Sequence, residues 1–180
     1  MAQDGTDLTP EPDGEDHVRG SLDAAVVITE YGDFECPYCG ESYRVIEELL
    51  GRYGDRVAFV FRQYPLPMHP HAMAAAEASE AAATAGKFWE MYAALYRHQR
   101  ALTERDLRGY AEAAGVDPQL VSTAIAENAY QSRIDRDRQS GNASGIEGTP
   151  SIFINGFAYE DEVSVDALSD TIDRALAART

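Results

Sequence analysis

The strongest constraint on the fold is the setting of a single dithiol. Cys36 and Cys39 are the only cysteines in 180 residues, and they lie where a short apolar run gives way to an amphipathic stretch. Ala24 to Tyr31 (AAVVITEY) is β-branched and almost continuously apolar, the pattern of a buried strand, and it breaks at Gly32-Asp33. Beyond the cysteines, from Gly40 to Leu50, apolar residues recur at Tyr43, Ile46, Leu49 and Leu50, which is one face of a helix. Gly51 and Gly54 close that helix. Val57 to Tyr64 (VAFVFRQY) reads as a second strand, stopped by Pro65-Leu66-Pro67. Strand, helix, strand in this order implies a parallel pair joined by a right-handed crossover, with the cysteines at the start of the crossover helix.

A disulfide scaffold would spread several cysteine pairs along the chain. A structural zinc site normally takes four ligands, so it would need His69 and His71 beside both cysteines. The remaining reading is a dithiol that cycles between thiol and disulfide. Cys36 falls at or just before a helix N-terminus, where free N–H groups and the positive end of the macrodipole stabilise a thiolate. Pro37 suits the first helical turn, where its missing N–H costs nothing. Cys36 is therefore expected to be the exposed, low-pKa nucleophile. Cys39, one turn further in, is expected to be the shielded resolving thiol.

Two further features leave alternatives open. Glu30 ends the first strand, six residues before Cys36. The residues alone favour an exposed strand-end carboxylate; a buried acid near Cys39 could instead accept and return a proton. Gly148-Thr149-Pro150 leads directly into a strand. An ordinary trans proline is the default there, and a cis bond would suit a tight turn into an edge position.

The remainder of the chain sorts into three parts. Residues 1–20 carry no basic region, apolar core or cleavage site, and read as a flexible acidic leader. That points to a cytoplasmic protein, or to an exported one whose signal has been removed. From His71 to about Asn142 there are five amphipathic or alanine-rich segments, roughly 71–85, 87–98, 103–114, 118–127 and 129–140. Thr103 with Asp106, and Asp117 before Pro118, mark two helix starts. Strand character returns at Ser151 to Ile154, then an Asn155-Gly156 turn, a short strand at Phe157 to Tyr159, and a helix over Ser164 to Ala178.

Asp and Glu number 31 against 15 Lys and Arg, for a net charge of −16. Such a chain repels phosphate backbones and anionic lipid, which argues against nucleic-acid and membrane-surface roles. Lys87 is the only lysine. That composition suits a high-salt cytoplasm, and a GC-rich genome produces it equally well. No apolar run is long enough to insert into a membrane. No organic cofactor is indicated, since there is neither a G-x-G-x-x-G after a strand nor a P-loop.

Taken together, Asp33-Phe34-Glu35-Cys36-Pro37-Tyr38-Cys39, Phe61 to Pro67 with His69-Pro70-His71-Ala72, Phe88-Trp89-Glu90-Met91 and Gly148-Thr149-Pro150-Ser151 with Asn155-Gly156 resemble the DsbA-like branch of the thioredoxin superfamily. The resemblance covers residues 20 to 178. It implies an α/β thioredoxin-like domain over 21–180, with a helical insertion, about 71–142, between a β-α-β half and a C-terminal β-β-α half. It implies a thiol–disulfide oxidoreductase with Cys36 attacking and Cys39 resolving, and with protein thiols or disulfides and a further redox protein as partners. It makes Thr149-Pro150 a cis, substrate-binding element and Glu30 a buried acid. Phe88 and Trp89 become packing residues, and His69 and His71 structural ones. A thiol-dependent reductase using glutathione, and a non-catalytic peptide-binding module or holdase, are the alternatives. Strongly oxidising relatives carry Pro-His between the cysteines, whereas Tyr38 can offer only a weaker hydroxyl donor. Together with Pro37 it is expected to set the Cys36 pKa. The expected potential lies midway in a range from about −270 mV for thioredoxin to about −120 mV for DsbA.

Overall fold

The computed structural model describes residues 7–179. Five strands, β1 (His17–Arg19), β2 (Val26–Gly32), β3 (Val57–Gln63), β4 (Ser151–Ile154) and β5 (Phe157–Tyr159), form one sheet in the order β1-β3-β2-β4-β5. The pair β2 and β3 is parallel, and every other pair is antiparallel. Helix α1 (Pro37–Tyr53) makes the crossover between β2 and β3. Between β3 and β4 come α2 (Ala72–Thr84), α3 (Phe88–Arg97), α4 (Glu104–Ala113), α5 (Pro118–Glu127) and α6 (Gln131–Ala143). Helix α7 (Val165–Ala177) ends the chain. Among the described residues no helix is long and apolar enough to cross a membrane.

Strand alternation divides the core in two. Val26 and Ile28 of β2, Val57, Phe59 and Phe61 of β3, and Ile152 and Ile154 of β4 point to one face. Ile46 and Leu49 of α1, Met91, Tyr92 and Leu95 of α3, and Leu168 and Ile172 of α7 cover it. The intervening residues Tyr31 and Phe153 point to the other face and pack with Leu8. Several helix ends follow from local chemistry. Thr103 and Asp106 form a capping box at α4, and Asp117 accepts from the Gln119 N–H at α5, whose first residue is Pro118. Asn155 and Gly156 both take positive φ, the two-residue turn that joins β4 to β5.

The acidic leader is where structure and sequence part. Residues 1–6 lie outside the described residues, but 7–19 pack against the domain. Leu8 is buried and its N–H donates to the Gly156 carbonyl. His17 to Arg19 pair with Phe59 to Phe61 as β1. Asp16 receives both Nε and Nη2 of Arg62 at 3.0 Å in a fully buried, bidentate pair. Arg62 also donates to the Tyr31 hydroxyl and the Pro10 carbonyl. His17 stacks on Phe88 at 3.5 Å and contacts Glu80, while Arg19 pairs with Glu47 and lies over Trp89. A segment with little apolar content is thus held by ionisable partners that lie 28 to 123 residues away in sequence, Arg136 with Asp13 and Glu15 among them.

Removing one member of a buried ion pair strands the other charge. Arg62→Met is expected to lower unfolding stability by about 3–5 kcal/mol in urea titration. A loss below about 1 kcal/mol would show that the pair does not anchor the leader.

Candidate active site

Cys36 is the N-cap of α1, in extended backbone conformation, with Pro37 as the first helical residue. Its carbonyl accepts from the N–H groups of Cys39 at 3.1 Å and Gly40 at 3.2 Å. Both cysteines are free thiols. The expected exposure of Cys36 is corrected: it is only 3% exposed, against 0% for Cys39. The loop before β4 covers it, with the Cys36 Sγ 3.6 Å from the Thr149 carbonyl. The Thr149–Pro150 peptide is cis. The Thr149 hydroxyl is buried.

The two thiols are driven apart in acidity. A hydrogen bond from Cys39 is the largest influence on Cys36; burial opposes it, and the Thr149 side chain and the Cys39 and Tyr38 backbone N–H groups reinforce it. The outcome is a Cys36 pKa lowered to about 5. Burial pushes the Cys39 thiol up, and the Cys36 hydrogen bond and the Glu30 charge push it further. Pro37 acts by starting the helix. Tyr38 acts through its backbone and not through its hydroxyl, because its side chain is 68% exposed and makes no hydrogen bond to Cys36. The tuning expected of that hydroxyl is therefore corrected.

Glu30 is buried, not a strand-end surface carboxylate. The alternation of β2 decides this. Glu30 follows Val26 and Ile28 on the helix-covered face, directly across from Phe61 of β3 and Ile152 of β4. Burial raises its pKa to about 8, against an opposing hydrogen bond from Ser42 at 2.5 Å and with a further push from the Cys36 charge. Its other oxygen, and the buried hydroxyls of Tyr92 and Tyr96, have no hydrogen-bond partner among the described residues.

Acid–histidine pairs hold the approach to α1. Asp33 is buried; its carboxylate accepts from the N–H groups of Glu35 and Leu66, each at 2.8 Å, and meets His69 Nδ1 at 2.7 Å. Glu35 accepts from the His71 N–H at 2.6 Å and meets His71 Nδ1 at 2.8 Å. These contacts engage Nδ1 of both histidines. Burial disfavours charge on His69, but the bond to Asp33 and the charges of Asp33, Cys36 and Glu35 outweigh it and raise its pKa. Asp33 stands in the motif around the cysteines, though without an expected role, and two neighbours carry no motif: Ser42 has only its closeness to the cysteines as a signal, and Gln99 has none.

Beside the cysteines a cleft of about 350 Å³ is lined by Tyr38, Glu41, Ser42, Thr149, Pro150 and Val163, among others. Tyr38, an exposed aromatic, gives the cleft apolar surface. A low-pKa sulfur, a high-pKa partner one turn away, a buried acid and an adjoining cleft form a site able to exchange disulfides.

The thioredoxin family matches residues 12–174, and the chain belongs to that family. Its fold is shared with DsbA-like proteins. BdbD from Bacillus subtilis superposes with a TM-score of 0.83 at 22% identity, covering 91% of this chain and 94% of that one. The thiol-disulfide exchange protein alpha-DsbA2 from Wolbachia pipientis gives 0.78 at 19% identity, covering 90% and 88%. In sequence, the Na+/H+ antiporter NhaA 1 of Salinispora arenicola is 40% identical over 171 residues, 94% of this chain and 26% of that protein. The chain thus spans about a quarter of the length of the curated relatives it matches. These findings overturn the cytoplasmic placement. The matching stretches belong to Na+/H+ antiporters, and the fold recurs in a periplasmic thioredoxin-like protein from Salmonella enterica serovar Typhimurium (TM-score 0.74, 20% identity, 95% of this chain and 94% of that one).

The Glu30 shift has a measurable consequence. Its pKa is raised from 4.5 to about 8 on folding, so it stabilises the fold below pH 4.5 and that contribution is lost as pH rises through 8. Cys36, lowered from 9.0 to about 5, works in the opposite sense in the reduced protein. In the oxidised protein, where neither cysteine titrates, the stability difference between Glu30→Gln and wild type should therefore grow in favour of the variant from pH 4.5 to 8. Urea unfolding across this range is the check. A constant difference would mean that the carboxyl is not held protonated.

Proposed function

We propose that the chain is a thiol–disulfide oxidoreductase acting on protein thiols outside the cytoplasm. The observation that carries this reading is the split between a Cys36 lowered to about 5 and a Cys39 raised above its ordinary value within one helical turn. The relatives among membrane antiporters and the fold shared with a periplasmic protein support the compartment, where disulfides persist.

In the oxidising direction a substrate thiolate attacks Cys36 Sγ of the Cys36–Cys39 disulfide. The S–S bond breaks, and its electron pair leaves on Cys39, which takes up a proton. Glu30, whose charge is felt at Cys39, is a proton source within the core. A second substrate thiolate then attacks the substrate sulfur of the mixed disulfide and expels Cys36 as a thiolate. Its low pKa makes it a good leaving group. The substrate departs with a disulfide, and the protein is left with two thiols. A partner disulfide must then take those two electrons to restore the bridge. In the reverse direction Cys36 attacks, and Cys39 resolves after losing its proton. Thr149 and Pro150, in the cleft beside Cys36, are the substrate-binding elements of this reading. Pro37 and the Tyr38 N–H tune the nucleophile.

Cys36→Ser should abolish exchange with a reduced, unfolded protein substrate. Cys39→Ser should accumulate mixed disulfides through Cys36, visible on non-reducing gels. Turnover by Cys36→Ser, or no trapped adducts with Cys39→Ser, would overturn the assignment of roles.

A further inference from the structure

Gln99 lies in the turn after α3, inside the helical block and 63 residues from Cys36. That turn is fixed independently of the redox site. The Ala101 N–H donates to the His98 carbonyl at 2.8 Å, and His98 Nδ1 lies 2.8 Å from the Ala94 carbonyl. The His98 ring stacks on Tyr110 at 5.0 Å, and the Tyr110 hydroxyl donates to the Ala101 carbonyl at 2.7 Å. From this platform Gln99 Nε2 donates to the Phe34 carbonyl at 2.9 Å and to the Cys36 carbonyl at 2.8 Å. One amide therefore ties the peptide groups on both sides of the nucleophile.

Gly40 provides the second observation. A Cβ on Gly40 would collide with the Gln99 amide. Glycine inside a helix costs about 1 kcal/mol relative to alanine. Here that loss opens the space in which Gln99 reaches the two carbonyls.

We propose that Gln99 is a positioning residue for Cys36, holding residues 34–36 so that the first N–H groups of α1 face the sulfur, and that Gly40 is glycine to admit it. The proposal rests on the oxidoreductase reading for its purpose, but its physical content concerns the acidity of Cys36. The N–H groups of Tyr38 and Cys39 favour the thiolate only while the loop carrying Cys36 keeps its path. Without the amide, the Phe34 and Cys36 carbonyls lose their side-chain donor, and the loop keeps only its ties to Asp33, through the Glu35 and Cys36 N–H groups, and to His71, through the Glu35 carboxylate. The helical block then acts on the chemistry through two hydrogen bonds, beyond its part in burying the core.

The test is the pH dependence of Cys36 alkylation by iodoacetamide in the reduced full chain, together with its equilibrium with glutathione. Gln99→Ala should move the alkylation midpoint up by about one unit. It should also lower the equilibrium constant for oxidising glutathione about ten-fold, which corresponds to a potential about 30 mV more negative. Gly40→Ala, which displaces the amide, should reproduce both shifts, and in the Gln99→Ala background it should add nothing further. A lower unfolding midpoint with neither readout moved would reduce Gln99 to a structural contact and overturn the proposal. Equal effects of Gly40→Ala in both backgrounds would do the same. Failure of the oxidoreductase reading is separable: the wild type would then not turn over substrate, whatever the alkylation midpoints.

Discussion

Two thiols three residues apart are held at opposite ends of the cysteine acidity range, and the rest of the architecture serves that difference. Cys36 sits at the mouth of α1, where backbone N–H groups, the Cys39 thiol and the Thr149 side chain favour its anion. Cys39 sits one turn inward, against a core that excludes water and beside an acid that is itself disfavoured as an anion. Only a strand feeding directly into a helix brings these environments within one turn. The sheet supplies the low-dielectric floor, and the helix supplies the oriented donors.

Every neighbouring element has a part in keeping the junction in place. Asp33 closes the turn after β2 and joins it to the loop after β3 through Leu66 and His69. Glu35 binds that loop again through His71. The helical block reaches in through Gln99, and the loop before β4 lies over the sulfur. The buried Arg62–Asp16 pair lies on the opposite face of the sheet, where it fastens the N-terminal segment. Cys36 is only 3% exposed, and the cleft lined by Tyr38, Thr149 and Pro150 adjoins it.

Much of this is legible in the sequence, for reasons that can be stated. Apolar runs such as VAFVF and the three-and-four spacing of Tyr43, Ile46 and Leu49 are local signals, and the elements they indicate are present in order. Thr103, Asp117 and Asn155-Gly156 act within a few residues and mark their own turns and caps. What is not legible depends on distant partners. β1 has Val18 as its only apolar residue and is a strand because Phe59 to Phe61 and Arg62 lie beside it. The burial of Glu30 follows from strand alternation only once Phe61 and Ile152 are known to flank it; the residues alone favoured solvent, and the family resemblance favoured the core. Gln99 carries no local mark at all. The cytoplasmic placement fails because residues 1–20 do not reveal the kind of protein in which such a domain occurs.

By favouring the Cys36 thiolate, the fold favours the reduced form. Thioredoxin, with a nucleophile pKa near 7, lies at about −270 mV, and DsbA, near 3.5, at about −120 mV. A nucleophile at about 5 places this chain between them. Equilibration of the Cys36–Cys39 pair in defined glutathione buffers, with thiols scored by alkylation, is the most direct measurement. The expected potential is about −200 mV. A value at or below about −270 mV would mean that the reduced form gains nothing from the Cys36 thiolate, and would contradict this link between acidity and potential.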